Sequence, residues 1–321
     1  MPGSGTHTFL DPDHYEASLR RAQIEFIITC GAGFNARLTC AELHHLQLSR
    51  CAEGLPRIGY VSLPSRLACI SFPANSDSLP RWRGAEMQAG DIMLHSLGDR
   101  LHQTTHGPSI WSLIILDPAE LDHYSRTLFE KPLPLPPEGL VLRPSKRDAA
   151  RLRRLHAQAC RLAETKPKFL AHSEVARAIE QDLIYALITC LTGAKVNEKA
   201  VAKRDHALVM IRFEEVLAEH LGRPLLMPEL CELVGVGAQS LRLCCAEFLG
   251  TSATRYVLLR RLKEMRRALR GADPNVVDIT ELARRYGFTE LGRFAGAYSA
   301  VFGESPSTTL RRVPHRRSAG R

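Results

Sequence analysis

The sequence predicts an α+β chain: an N-terminal β-barrel or sandwich with a helical extension, then an all-α domain of two helix-turn-helix motifs joined by a long helix. Three observations predict it. Short apolar runs separated by Gly, Pro and Asp fill residues 1–130, the pattern of a barrel or sandwich. Beyond Asp205 the apolar residues recur at helical spacing. The C-terminal third also states one motif twice, 52 residues apart, as Glu229-Leu230-Cys231 before Gly235-Val236 and Glu281-Leu282-Ala283 before Gly287-Phe288. Fixed-offset self-similarity is harder to obtain by chance than a lone motif.

In chain order, Tyr15–Ile24 reads as a short helix, whereas Ala41–Leu48 alternates loosely as a strand. Ile58–Phe72 is a strand pair broken at Leu63-Pro64-Ser65, and Glu86–His95 is broken at Ala89-Gly90-Asp91. Ser109–Leu116 is a continuous apolar run ending at Asp117-Pro118. Pro132, Pro134, Pro136, Pro137 and Pro144 form a connector, because proline suits neither helix nor strand interiors. Leu152, Leu155, Ala159 and Leu162 then keep a 3-4-3 spacing, and Val175, Ile179, Leu183 and Leu187 a fourfold one. These are two amphipathic helices separated at Lys166-Pro167. They either pack on their own domain or form a homodimer seam, and the pattern admits both. Residues 192–205 are polar and read as a linker.

The remainder is helical. Ala207–Leu221 stops at Gly222-Arg223-Pro224, and Met227–Val234 with Ala238–Leu249 forms the first motif. Thr254–Arg270 is the joining helix, with apolar Leu258, Leu262, Met265 and Leu269 and Gly271 as its C-cap. Its charges, Arg255, Arg260, Arg261, Lys263, Arg266 and Arg267, read as a solvated face with one or two phosphate contacts. Asp278 with Glu281 forms a capping box before Ile279–Tyr286, and Thr289 caps a helix running to Phe302.

A short helix, a glycine turn and a longer helix place the second helix in the major groove, its first turn facing base edges. In Ala238–Leu249 the inner positions are Leu241, Cys245 and Phe248, so Ala238, Gln239, Ser240, Arg242 and Leu243 face outward. In the second motif Leu291 or Phe294, Tyr298 and Val301 are inner, and Glu290, Gly292, Arg293 and Gly296 are outer. Gln matches adenine N6/N7, Arg matches guanine O6/N7, and Glu can accept from cytosine N4. The DNA-contact candidates are therefore Gln239, Ser240, Arg242, Glu290 and Arg293. Charge agrees: of a net +9, residues 206–321 carry 18 Arg and Lys against 12 Asp and Glu, hence +6, with five arginines in the final eleven residues.

These residues carry a resemblance. Gly287-Phe288-Thr289-Glu290-Leu291-Gly292-Arg293-Phe294 through Phe302-Gly303-Glu304-Ser305-Pro306 resembles the C-terminal signature of the AraC/XylS family of bacterial transcription regulators. Leu230–Leu269, with Arg260-Arg261-Leu262, is similar to that family's first motif. The resemblance covers about residues 206–312 and implies two recognition helices in successive major grooves on one DNA face. The pattern departs at Gly237, where Ser or Thr is usual, at Cys245 for Phe, at Ala253 for Pro, and at Gly296, where many members have Arg. The last departure shifts the second unit's contacts toward Arg293. Trp82-Arg83-Gly84, Gly90-Asp91-Ile92 and Trp111-Ser112-Leu113 resemble the cupin-like sensor domains of such regulators. This implies residues 1–191 as a sensor and dimerisation domain (barrel about 1–130, helices about 146–191), 192–205 as linker, 206–312 as the DNA-binding domain, and 313–321 as a basic tail. It implies promoter DNA as partner, with RNA polymerase, a small-molecule effector and a second copy as further candidates, and activation rather than repression. Trp82, Arg83 and Trp111 are the weak effector-site candidates, a core role for both tryptophans being the stronger reading.

The competing class is a cupin-type metalloenzyme with a basic helical appendage; a nucleoid-type binder without sequence preference is the third. His44, His45, His95, His102 and His106 are the ligand candidates. His44 and His45 are adjacent, so on a strand they point to opposite faces, and no H-x-H pair is present. No P-loop, G-x-S-x-G or dinucleotide fingerprint occurs. The expectation is therefore no metal, no cofactor and no catalytic residue. Nine cysteines without a C-x-x-C pair, no signal-like N-terminus and no long apolar run point to a cytoplasmic location away from membranes.

Overall fold

The computed structural model describes residues 4–19, 22–31, 33–75, 79–197, 204–220 and 225–312 of the chain; the expected helix stop at Gly222-Arg223-Pro224 and the basic tail, residues 313–321, lie outside them. It divides into two compact units, one comprising Met1–Phe26, Phe34–Leu55 and Gly59–Asp205, the other Ile27–Gly33, Pro56–Ile58 and His206–Arg321.

The N-terminal region begins with β1 (Gly5–Phe9), α1 (Pro12–Ser18), β2 (Gln23–Ile28), β3 (Ala36–Glu42), β4 (Gln47–Glu53), β5 (Arg57–Ser62) and β6 (Ala68–Pro73). It continues through β7 (Arg81–Trp82), β8 (Ala85–Glu86), β9 (Ile92–Leu94), β10 (Arg100–Thr105), β11 (Ser109–Leu116), α2 (Pro118–Phe129) and β12 (Leu140–Arg143). Then come α3 (Lys146–Thr165), α4 (Pro167–Leu170), α5 (Ser173–Gly193) and β13 (Lys195–Val196). One sheet runs β1-β3-β4-β11-β6-β9-β12-β13, and a second runs β2-β5-β10-β7-β8. Helix starts follow local chemistry: Asp11, Asp117 and Ser145 each accept backbone N–H groups opening α1, α2 and α3, with Pro12 and Pro118 in the first turn.

Period-two alternation builds two cores from one sheet. On β11, Ile114 and Leu116 face a layer with Leu152 and Ala159 of α3 and Leu183 and Leu187 of α5. Trp111, Leu113 and Ile115 of the same strand face an interior shared with Leu38, Trp82 and Met93. Because helices cover one face and the second sheet's residues the other, β6 is buried throughout. Leu152, Leu183 and Leu187 thus pack on the chain's own sheet, the intradomain alternative for the amphipathic helices.

Several expectations are corrected. The strand expected at Ala41–Leu48 is a hairpin turn: Leu43 N–H donates to the Leu46 carbonyl, and Glu42 pairs with Gln47. A long-range contact decides it, since buried Glu180 of α5 accepts from the N–H groups of His45 and Leu46 at 2.8 and 3.1 Å. His44 and His45 therefore lie in a turn rather than a strand. The helix expected at Tyr15–Ile24 is shorter and earlier, giving way to β2. The segment expected as a linker begins structured, with α5 reaching Gly193 and Lys195–Val196 pairing with β12; residues 198–203 of it lie outside the described part.

The second unit contains α6 (Arg204–Glu219), α7 (Met227–Val234), α8 (Ala238–Leu249), α9 (Ala253–Gly271), α10 (Ile279–Arg285), α11 (Leu291–Phe302) and α12 (Pro306–Arg311). Its core runs from Phe213 through Leu241, Leu262 and Met265 to Tyr298 and Leu310. Gly271 does not act as a left-handed cap. It ends α9 within helical geometry, and Ala272, extended at φ −91°, follows. Asp278 caps α10 by accepting from Thr280 N–H at 2.8 Å, whereas Glu281 pairs with Arg285 instead of closing the capping box. Thr289 does not cap α11; Glu290 occupies that position.

Candidate nucleic-acid interface

The two motifs share a closing hydrogen bond, from the residue after each turn glycine to the third residue of its triplet. Helix α7 ends where Gly235, at φ +80°, donates to the Cys231 carbonyl and Val236 N–H donates to that same carbonyl at 3.0 Å. Helix α10 is followed by Gly287, at φ +76°, and Phe288 N–H donates to the Ala283 carbonyl at 2.9 Å. Cys231 and Ala283 are the third residues of the repeated triplets. Glycine is required at both turns because the left-handed region disfavours a Cβ.

Helix α8 presents what the pattern requires. Leu241, Cys245 and Phe248 are buried against the unit's core. Gln239, Ser240, Arg242 and Leu243 are exposed. Cys244 is buried as well, and burial pushes the Cys245 thiol up to about 12, leaving it a small apolar group. On α11 the buried positions are Phe294, Tyr298 and Val301, with Leu291 half-buried. Outward lie Gly292, Arg293, Ala295, Gly296, Ser299 and Ala300, so Arg293 is the one long side chain on that helix's exposed face. Arg293 and Glu290 pair with each other at 3.0 Å, their side chains 83% and 62% exposed. An exposed pair of this kind is worth under about 1 kcal/mol, a low barrier to exchanging partners. Neither α8 nor α11 has a side chain capping its first turn.

The charges of α9 are not the solvated face expected. Arg260, Lys263 and Arg266 are buried, and of the six only Arg255 is exposed. Glu214 of α6 pairs with Arg260 and accepts the Tyr256 hydroxyl at 2.5 Å. Arg261 donates from Nε and Nη2 to the Tyr286 carbonyl and lies over the Phe288 ring. Arg266 stacks over Phe302 and approaches Glu304 at 3.8 Å. Helical periodicity cannot distinguish a solvated arginine from one whose acceptor lies 25 or more residues away. Burial also pushes Tyr298 up to about 12, its hydroxyl donating to Thr309 Oγ1 at 2.8 Å, which ties α11 to α12.

The effector candidates of the first unit separate. Trp82 is 1% exposed and sits in the interior core. Arg83 and Gly84 form the two-residue turn between β7 and β8, both at positive φ, and Arg83 holds Asp99 at 2.6 Å. His95 donates or accepts on both sides, with Asp99 at Nδ1 and Ser71 at Nε2. Trp111 alone lines a cavity of about 350 Å³, with Leu38, Cys40, Leu48, Leu113 and Ile115 among its walls. Its indole N–H donates to Glu53 at 2.8 Å, a carboxylate that also accepts the Tyr15 hydroxyl at 3.0 Å. Strand geometry on the run Ser109–Leu116 sends Trp111, Leu113 and Ile115 to one face, which the composition of the run alone does not mark. Among the described residues no three His, Cys, Asp or Glu side chains gather as a metal-binding group, and no helix is long and apolar enough to cross a membrane.

Two glycine-turned motifs on one connecting helix define the second unit as a double helix-turn-helix DNA-binding domain. Residues 230–312 match a family described as a helix-turn-helix domain. The chain is 40% identical over 102 residues to the "Probable thc operon regulatory protein" of Rhodococcus erythropolis, covering 32% of this chain and 31% of that protein. It is 35% identical over 121 residues to the "XylDLEGF operon transcriptional activator" of Pseudomonas putida, 38% of this chain and 37% of that protein. Its C-terminal unit is thus similar to the helix-turn-helix region of these operon regulators. The matches span about a third of those relatives' own length. Among solved structures, the AraC-like transcriptional activator CuxR aligns over 84% of this chain and 97% of its own, at TM-score 0.40 and 14% identity. ToxT from Vibrio cholerae aligns over 90% and 99% at TM-score 0.29 and 12% identity.

Proposed function

We propose that this protein is a cytoplasmic, non-enzymatic transcription regulator of the activating kind, which reads a bipartite promoter site through α8 and α11 under control of its N-terminal unit. The observation that carries the reading is the repeated turn: equivalent closing hydrogen bonds from Val236 and Phe288 present two helices, each with a buried apolar face and an exposed first turn. On α8, Gln239 and Arg242 are the base-reading side chains and Ser240 is a phosphate or base contact; the exposed Leu243 adds an apolar surface for a thymine methyl. On α11, Arg293 exchanges Glu290 for guanine or phosphate, which releases Glu290 to accept from a cytosine amine. The α8 and α11 first turns, free of side-chain caps, suit backbone contacts to phosphate oxygens. The cavity walled by Trp111, Leu113 and Leu38 is the effector site in this reading. An effector that binds one arrangement of the chain more tightly shifts its population, and DNA affinity with it. The half-buried Leu155 and Ile179, which border a groove of about 480 Å³ on α3 and α5, are the surface for a second copy, and RNA polymerase is the further partner of an activator.

The test is selection of bound sequences from genomic DNA with the purified full chain, repeated with Arg242→Ala and Arg293→Ala. Each variant is expected to relax one half of a two-part motif, by about 1–3 kcal/mol per lost bidentate contact. Binding that is salt-sensitive but enriches no motif would leave a charge-driven binder and remove the reading.

A further inference from the structure

The joining helix α9 carries two adjacent arginines that serve opposite ends of the domain. Arg260 turns toward α6, into the pair with Glu214 beside Tyr256. Arg261, about 100° further round the helix, turns to the second motif. Its Nε and Nη2 both donate to the Tyr286 carbonyl, at 2.9 and 2.7 Å. Its guanidinium carbon is 4.4 Å from the centroid of the Phe288 ring. Tyr286 is the C-cap residue of α10, so its carbonyl belongs to the helix end that leaves carbonyls without intrahelical partners, where a cation is favoured. Phe288 is 7% exposed, and its ring centroid lies 4.7 Å from that of Phe294 on the recognition helix α11. One side chain of the joining helix therefore touches the end of α10 and the ring that seats α11, on either side of Gly287.

We propose that Arg261 is the positioning residue that sets the placement of the second recognition helix on the joining helix, and thereby the half-site spacing the protein accepts. The proposal rests on the two-groove reading above. A planar fork satisfies one carbonyl with two donors while its face covers an aromatic ring; a lysine ammonium makes at most one of these contacts well at a time. Without the fork, α10 and α11 keep their own apolar core (Ala283, Phe294, Tyr298, Val301) but lose the directional tie that fixes their angle to α9. Half-sites one helical turn apart are read together only if that angle is held.

The experiment uses the full chain and the selected bipartite site, with the spacer between half-sites shortened and lengthened by one and two base pairs. An isolated second half-site and the thermal midpoint are measured alongside. The wild-type chain is expected to lose about tenfold or more in affinity off the best spacer, the equivalent of about 1.4 kcal/mol of strain. Arg261→Met is expected to bring that penalty below about threefold while leaving the isolated half-site within about twofold of wild type; Arg261→Lys should fall between. A second variant, Phe288→Leu, removes the ring but keeps an apolar side chain, and should flatten the spacer profile in the same direction. Spacer profiles of Arg261→Met and Phe288→Leu that match wild type, with only a lowered thermal midpoint, would reduce Arg261 to a stabilising contact and overturn the proposal. If Arg261→Met also loses the isolated half-site, Phe288→Leu decides: an unchanged profile overturns it. A wild-type chain indifferent to spacer length would instead refute the two-groove reading itself.

Discussion

Glu214 is 2% exposed, and its carboxylate is shared by the Arg260 guanidinium, 10% exposed, and the Tyr256 hydroxyl. Truncating one partner of a buried pair costs about 3–5 kcal/mol, because the remaining charge stays in a poorly solvated place. The hydroxyl that loses its acceptor contributes about 1–3 kcal/mol of the same loss rather than a separate sum. Glu214→Ala should therefore destabilise the second unit by about 3–5 kcal/mol. Replacing both ends, as Glu214→Leu with Arg260→Met, should recover the part due to the uncompensated charge, about 2 kcal/mol, leaving the share of the Tyr256 hydroxyl. Urea unfolding followed by circular dichroism measures the loss. Both tryptophans, Trp82 and Trp111, lie in the first unit, so their fluorescence serves as an internal control that should not move. A loss below about 1 kcal/mol, the value of an exposed pair, would refute the reasoning. So would a double variant no more stable than Glu214→Ala.

Further expectations concern proton uptake and helix composition. Burial lowers His156 from 6.5 to about 4, so the unfolded chain binds its proton first as pH falls. The stability due to its neutral form is complete above pH 6.5 and is lost between there and about 4, a total of about 3 kcal/mol from the shift in pKa. His156→Leu should flatten that part of the pH–stability curve read by tryptophan fluorescence; an unchanged slope would exclude His156 as its source. For Asp99, burial acts to raise the pKa, but the His95 hydrogen bond and the charges of His95 and Arg83 bring it below 3.8. Its contribution is present above that value and lost as pH falls further, so Asp99→Asn should destabilise at neutral pH and converge on wild type in acid. Gly292 and Gly296 have no atom within 4 Å of where a Cβ would stand. Gly296→Ala should raise the thermal midpoint by the equivalent of up to about 1 kcal/mol, and a drop would show that the position is crowded.

The C-terminal architecture was legible because helix geometry is local. The paired triplets located α7 and α10, and the buried positions of α8 followed from a spacing of three and four residues. What the sequence concealed depends on distant partners. Arg260, Arg261 and Arg266 looked like a solvated stripe because their acceptors, Glu214, the Tyr286 carbonyl and Glu304, lie on other elements. Ala41–Leu48 looked like one strand because the Glu180 contact that makes it a turn comes from α5. In the first unit, short apolar runs bounded by Pro, Gly and Asp gave β5, β6 and β11 within one or two residues. The effector candidates were chosen by residue type, and type does not report which face of a strand borders a cavity. Trp111 lines the cavity and Trp82 and Arg83 do not.

The central claim is that α8 and α11 enter successive major grooves on one face of DNA. Hydroxyl-radical footprinting of the full chain on its selected site measures this directly. Two protected patches about 10–10.5 base pairs apart on one face are predicted, the first lost with Arg242→Ala and the second with Arg293→Ala. A single patch, or two patches on opposite faces, would contradict the account.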